Sequence, residues 1–385
     1  MIDPSETMLL ELAHLYKEDR LGIVVRKANL LLRQFPNSTI LYNFLGNAYH
    51  KCSNFDGAIK SYEKLDKIEP DQPNTLFNLA NSYKDSQAFD MAIVNYKKVI
   101  KLDPRDAEAH NNMGICQQNN NDIHAAINSY NSATTINPLY FEAYNNLGTS
   151  FEINNNFEKA IQNYQIAIKI NPKYPAAHNN LGNVLQKKGD YRQSIESYRK
   201  AIELRSDFIE AFTSMGDSQR NLKLFDEAIE SYKQALKINP NYYDALFNLG
   251  NTFAKMSHRN HAITYYSKAS LIDPKCADPY FNIGIIFKKE GKLDQAKVNF
   301  QRAIDLSPKD SKTSFQYAQA QHTLAIFNGE TPDSAPRAYV ENLFDVYSTN
   351  FDRELVRLLK YRAPELLVKK IKQQNGPSNS LGSIL

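Results

Sequence analysis

An all-α solenoid, built of stacked helix-turn-helix units with a short C-terminal helical tail, is the fold the sequence predicts. Three observations carry it. Prolines fall at Pro36, Pro70, Pro104, Pro138, Pro172, Pro240, Pro274 and Pro308, each interval being 34 residues or twice that, with Ser206 in the vacant place. A large apolar residue followed by a small one keeps the same step: Leu45-Gly46, Leu79-Ala80, Met113-Gly114, Leu147-Gly148, Leu181-Gly182, Met215-Gly216, Leu249-Gly250 and Ile283-Gly284. Two further series run in register, a small residue from Ala58 to Ala296 and a ring from Tyr62 to Phe300. A fixed period of this length marks a repeat architecture, in which one unit cannot bury its apolar face alone but a stack can.

Each element of the unit has a local cause. In residues 175–208, His178, Leu181, Gly182 and Leu185 recur at three and four, one stripe of a first helix. "KKGDY" follows as a turn, where Gly189 is free to take positive φ. Ser194, Ile195, Tyr198 and Ala201 line one face of a second helix. The proline then ends the unit, because it lacks an N–H and drives the preceding residue out of the α region. Gly182 and Ser194 are small where the two helices approach, and Tyr198 is large where the next unit is met.

This unit resembles the tetratricopeptide repeat, with Leu-Gly, Tyr, Ala, Phe or Tyr, Ala and Pro at the family's offsets. The resemblance covers eight units over 39–310. A degenerate unit precedes them in 1–38, with Pro36 in place but Leu12 where glycine belongs. A lone capping helix follows in 311–329, with Tyr317-Ala318 in the Leu-Gly slot. The chain has no Trp, so His110 and His178 stand in the first aromatic position and are expected as core rings. The seventh unit carries "SHRNH" where a glycine turn is usual. The resemblance implies a right-handed superhelix whose first helices line a concave groove.

Asparagine is the anomaly. About 40 occur in the chain, and "NNLGN" at 179–183 places three in five residues of a helix. Each costs roughly 0.5 kcal/mol against alanine in a helix, where Glu or Lys is nearly free. On a helix, unit positions 6 and 9 lie opposite the apolar stripe. Those positions hold Asn47, Asn78, Asn81, Asn112, Asn146, Asn180, Asn183, Asp217, Asn248, Asn251 and Asn282. A primary amide offers two donors and an acceptor, so a row of them would hold the N–H and C=O groups of an extended peptide whatever its side chains. These residues are the candidate peptide-binding set. The bland alternative is an inherited polar surface.

Composition narrows the partners. Net charge is +4 with both signs interspersed, which is too weak and mixed for nucleic acid. Cys52, Cys116 and Cys276 lie far apart, which argues against disulfides or a zinc cage. No apolar run approaches the roughly 20 residues of a membrane span. The expected setting is the cytoplasm, the expected partner a protein or peptide, and self-association is open. His258 and His261 share a helical turn without a further ligand, so no metal is expected, and no catalytic constellation emerges.

The tail breaks the period. Over 330–376, "ETPDSAP" leads into three short amphipathic stretches, and 377–385 reads as a loop and the start of a strand. Phe344-Asp345, Tyr347, Phe351-Asp352, Leu355 and "YRAPELL" at 361–367 resemble the lead-in to a class I S-adenosylmethionine-dependent methyltransferase. That resemblance implies a recruiting arm for such an enzyme. The family's D-x-G-x-G-x-G turn is not reached before Leu385, so no cofactor is expected in this chain. S-adenosylmethionine is expected only with a downstream domain. A second alternative is the arm of a glycosyltransferase resembling the O-linked N-acetylglucosamine transferases, whose repeats also carry an Asn-lined groove. The tail does not resemble the entry to that domain.

Overall fold

In the computed structural model, residues 4–307 and 315–328 are described, and all their regular structure is helical. The methyltransferase-like stretch at 344–367 and the expected strand at 377–385 lie outside the described residues. The chain divides into two compact units, Met1–Ser231 and Tyr232–Leu385.

Unit 1 holds α1 (Glu6–Lys17), α2 (Leu21–Leu32), α3 (Thr39–Lys51), α4 (Phe55–Ile68), α5 (Pro73–Asp85), α6 (Phe89–Leu102) and α7 (Ala107–Asn119). It continues with α8 (Ile123–Ile136), α9 (Phe141–Ile153), α10 (Phe157–Ile170), α11 (Pro175–Lys187), α12 (Tyr191–Leu204) and α13 (Ile209–Asn221). From α1 to α13 each helix packs on the one that follows it, and α5 also touches α7, α7 touches α9, α9 touches α11 and α11 touches α13. The boundary falls inside α14 (Phe225–Ile238). Unit 2 then contains α15 (Tyr243–Lys255), α16 (Arg259–Ile272), α17 (Asp278–Lys289), α18 (Leu293–Leu306) and α19 (Phe315–Phe327), packed in the same consecutive way.

One contact sets the spacing of each hairpin. A Cβ added at Gly46, Gly114, Gly148 or Gly182 would come within 2.5–2.7 Å of the ring of Tyr62, Tyr130, Tyr164 or Tyr198 on the following helix. Gly250 meets Tyr266 and Gly284 meets Phe300 in the same way in unit 2. These rings are almost wholly buried. The absent side chain is therefore the space the ring occupies. Ala80 holds the equivalent slot opposite Tyr96, and the two are buried in one apolar cluster.

The turns are equally regular. Ser53, Gln87, Asn121, Asn155, Gly189, Lys223, Ser257 and Gly291 all have positive φ, between 56° and 83°. They are spaced 34 residues apart, and only two are glycine. The "SHRNH" segment thus makes the same turn as "KKGDY", with Ser257 at φ 63° doing what Gly189 does at φ 83°. Residues after the turn cap the second helix: Asn54, Asp122, Asn156 and Asp190 each accept a hydrogen bond from the backbone N–H three residues on. The loop between units is pinned likewise. Asp103, Asn137 and Asn171, each directly before a periodic proline, accept from the N–H two residues on.

The two histidines in the aromatic slot depart from expectation. His110 and His178 are half-exposed, with Nε2 lying 3.4 and 3.0 Å from the carbonyls of Pro104 and Pro172. Tyr42 donates to Pro36 at 3.2 Å from the same position. The slot faces the loop entering the hairpin, where a polar ring atom finds a carbonyl, so a wholly apolar ring is not required there.

Two stability outcomes follow from this geometry. Gly148→Ala is expected to cost about 1–2 kcal/mol by chemical denaturation, because overpacking against Tyr164 exceeds the helix-propensity gain. Lys223→Gly is expected to add about 1 kcal/mol by relieving a left-handed backbone. A stabilised Gly148→Ala, or a Lys223→Gly no more stable than the parent, would contradict the contact and turn assignments respectively.

Candidate peptide-binding face

The odd-numbered helices of unit 1 bring the predicted amides together, and their first partners are one another. Asn146 Nδ2 on α9 donates to Asn111 Oδ1 on α7 at 3.1 Å, and Asn180 Nδ2 on α11 donates to Asn145 Oδ1 on α9 at 3.0 Å. Asn112 Nδ2 on α7 donates to Asn81 Oδ1 on α5 at 3.3 Å, and Asn111 Nδ2 donates to Asn112 Oδ1 at 3.3 Å. The row is a hydrogen-bonded seam between successive repeats.

The position-9 residues have a second role. Tyr62 donates its phenol to Asn47 Oδ1 at 2.7 Å, Tyr96 to Asn81 Oδ1, and Tyr198 to Asn183 Oδ1 at 2.9 Å. Where position 9 is Thr149, Tyr164 reaches its hydroxyl at 3.2 Å and Glu152 at 2.9 Å. The amide at position 9 thus satisfies the buried ring that packs on the small residue one position earlier. A buried phenol without that acceptor would lose on the order of 1–3 kcal/mol. Asp217 pairs with Arg220 at 2.9 Å.

Unit 2 carries the remaining candidates. Asn251 Nδ2 donates to Asn248 Oδ1 at 3.2 Å, Tyr266 donates to Asn251 Oδ1 at 2.8 Å, and Asn282 Nδ2 lies 3.5 Å from the same oxygen. His258 and His261 flank Phe253, with ring centroids 6.2 and 5.1 Å from it.

The amides differ in what they leave over. Asn112 is buried, so its polar atoms are spent within the fold. Asn78 makes no side-chain hydrogen bond among the described residues and is half-buried. Asn146 and Asn180 are half-buried, and each uses one N–H toward the preceding repeat. Their Oδ1 atoms receive no donor among the described residues, so an acceptor and a second N–H remain on each. Position 5, with Asn111 and Asn145, supplies acceptors of the seam. Position-12 groups also bond across repeats: Gln118 accepts from Ser150 at 2.7 Å, and Gln186 donates to the Ser214 carbonyl at 3.2 Å. The adjacent "NN" pair in "NNMGI", "NNLGT" and "NNLGN" was the signal for position 5, since two amides in succession can serve one neighbour on each side.

The electrostatics are those of a neutral, closely paired surface. Lys187 meets Glu152 at 2.7 Å and His50 meets Asp85 at 3.0 Å. Burial raises the phenols of Tyr62, Tyr96, Tyr130, Tyr164 and Tyr198 well above their usual range. It pushes the Cys116 thiol up to about 12, and burial with the Glu63 hydrogen bond brings Tyr83 to about 12. A raised folded-state pKa favours the neutral form. The stability from these groups is therefore full below their unfolded values, near 10 for Tyr, and is lost as pH rises beyond them. The melting temperature should stay level from about pH 7 to 9 and fall steeply above about pH 10. Ordinary phenol titration with helicity intact would show that the rings are not buried.

Comparison with known proteins follows the same lines. Models described as TPR repeat match residues 46–87, 80–121, 153–189 and 220–257. Models described as tetratricopeptide repeat match 175–208 and 277–310, and 107–138 and 243–276. Among solved structures, MamA is 30% identical over 42% of this chain and 95% of its own, with a TM-score of 0.40. The C-terminal part of a TPR repeat-containing protein from Cytophaga hutchinsonii is 16% identical over 63% of this chain and 99% of its own, at TM-score 0.51. A chain of the APC/C hetero-tetramer Cut9-Hcn1 is 17% identical over 79% of this chain and 59% of its own, at TM-score 0.50. No curated protein matches the sequence significantly. The repeat models together span well over half of the chain, their matches carry the same glycine–tyrosine hairpins seen in the fold, and the chain belongs to the tetratricopeptide-repeat proteins.

Proposed function

We propose that this protein is an interaction scaffold, and that the first helices of unit 1 bind an extended peptide segment of a partner protein along their amide row. The observation that supports this most directly is the unspent hydrogen-bonding capacity of Asn146 and Asn180. Each amide is held in place by the neighbour to which it donates, while one N–H and the carbonyl oxygen remain. Holding a group in the bound geometry beforehand lowers the entropy lost on association. A donor and an acceptor on one rigid amide match the N–H and C=O of a peptide backbone. Such a row reads backbone rather than side chains, so it leaves the partner's identity to flanking residues.

A second assignment, supported by the tail sequence at 344–367, makes the repeats the recruiting arm of an S-adenosylmethionine-dependent methyltransferase. The gene beyond codon 385 tests it. Continuation into a D-x-G-x-G-x-G turn supports the assignment, and a stop or unrelated sequence would overturn it.

For the peptide reading, random 12-residue peptides selected by display on the intact chain provide the ligands. Asn146→Ala with Asn180→Ala is expected to weaken the selected peptides about 10- to 100-fold while the far-ultraviolet circular dichroism stays helical. Unchanged affinity with intact helicity would remove the amide row from the site.

A further inference from the structure

The seam of amides misses one rung, and we propose that the place is a subsite for a primary carboxamide, the side chain of an Asn or Gln in a bound peptide. The proposal rests on the peptide-binding reading and adds a specificity to it. Two consecutive repeats show the regular rung, in which position 6 of one repeat donates to position 5 of the repeat before it: Asn146 to Asn111 and Asn180 to Asn145. In the next repeat the donor position holds Ser214. The acceptor is still present. Asn179 is 8% exposed, and its Oδ1 is buried with no hydrogen-bond partner.

Ser214 does not substitute for the missing amide. Its hydroxyl makes no hydrogen bond to Asn179 Oδ1, and its carbonyl already accepts from Gln186 Nε2 at 3.2 Å and Ser218 Oγ at 3.1 Å. Serine carries a hydroxyl where asparagine carries a carboxamide, so the donor amide of the other rungs is absent from this one. An orphaned buried acceptor is costly, and a native fold that keeps one calls for an explanation.

The chemistry of the surroundings selects the occupant. The two carboxylates near Tyr198, Glu152 and Asp217, are already paired with Lys187 at 2.7 Å and Arg220 at 2.9 Å. No spare carboxylate among them compensates an incoming ammonium or guanidinium, and an uncompensated buried charge is far more costly than a neutral donor. A peptide backbone lying on the face does not reach an oxygen buried below it, whereas a side chain inserted beside Ser214 does. A neutral side chain ending in N–H groups meets both conditions, and it reproduces the group the other rungs use.

The display-selected 12-residue peptides supply the probe, rearrayed with each position varied through all twenty residues, on the intact chain and on Ser214→Asn. At one position Asn or Gln is expected to bind about tenfold more tightly than Ala, the effect of one hydrogen bond to a buried acceptor. Ser214→Asn fills the rung in cis. It should abolish that preference, keep the affinity of the Ala peptide, and melt at a higher temperature than the parent. Asn179→Leu removes the acceptor and should abolish the preference too, which keeps the test intact if Ser214→Asn fails to fold. A preference for Lys or Arg at that position, no preference at any position, or a preference that survives Ser214→Asn overturns the subsite. A higher melting temperature for Ser214→Asn without any peptide preference means that the gap holds only a water. Binding without preference leaves the peptide-binding reading standing, whereas a chain that binds no selected peptide loses both.

Discussion

An aromatic ring laid against a small residue, glycine in most repeats, is the contact on which the hairpins depend. The ring fills the place of the absent side chain, so the two helices pack at a separation that no larger residue at the glycine would allow without displacement. That arrangement buries a phenol oxygen, and a buried hydroxyl needs an acceptor. The asparagine one residue after the small residue (Gly46, Ala80 or Gly182) supplies it at Tyr62, Tyr96 and Tyr198. Packing and polar satisfaction are thus one constraint read twice. A glycine at position 8 brings the ring in, and the amide at position 9 completes it. In the repeat that carries Thr149, Glu152 takes up part of the same duty.

The amides are therefore structural before they are anything else. Their expense in helix propensity is offset by what they join, since one row connects ring to helix and repeat to repeat. Hydrogen-bonding capacity is left over only where that row is incompletely used. Asn112 is consumed internally, while Asn146 and Asn180 keep an acceptor and an N–H each. The proposed site and the scaffold share the same side chains, so a substitution in the row acts on the fold as well, and affinity has to be read beside helicity.

Much of this was legible in the sequence. The 34-residue step of proline, glycine and tyrosine located every hairpin, and the opposition of positions 6 and 9 to the apolar stripe located the amide face. What a period does not reveal is which neighbour an amide prefers. Asn111 and Asn145 occupy position 5, off the expected face, yet they accept the bonds that hold Asn146 and Asn180. A pairing of that kind depends on the offset between stacked repeats, a distance of 35 residues along the chain. His110 and His178 were misjudged as core rings for a related reason. Their slot looks apolar by family pattern, but its outer edge meets the carbonyl of the preceding proline. The turns erred in the other direction: Lys223 and Ser257 take the glycine conformation without glycine, because flanking helices fix the backbone and the residue bears the strain.

The central claim is that half-used amides on α9 and α11 are the surface a partner backbone meets. Side-chain amide resonances of the intact, 15N-labelled protein test it when a selected peptide is titrated to saturation. The claim predicts that the Nδ2 signals of Asn146 and Asn180 shift and broaden most, while that of the buried Asn112 moves little. Saturable binding that leaves both signals in place, with the changes confined to the even-numbered helices, would contradict it.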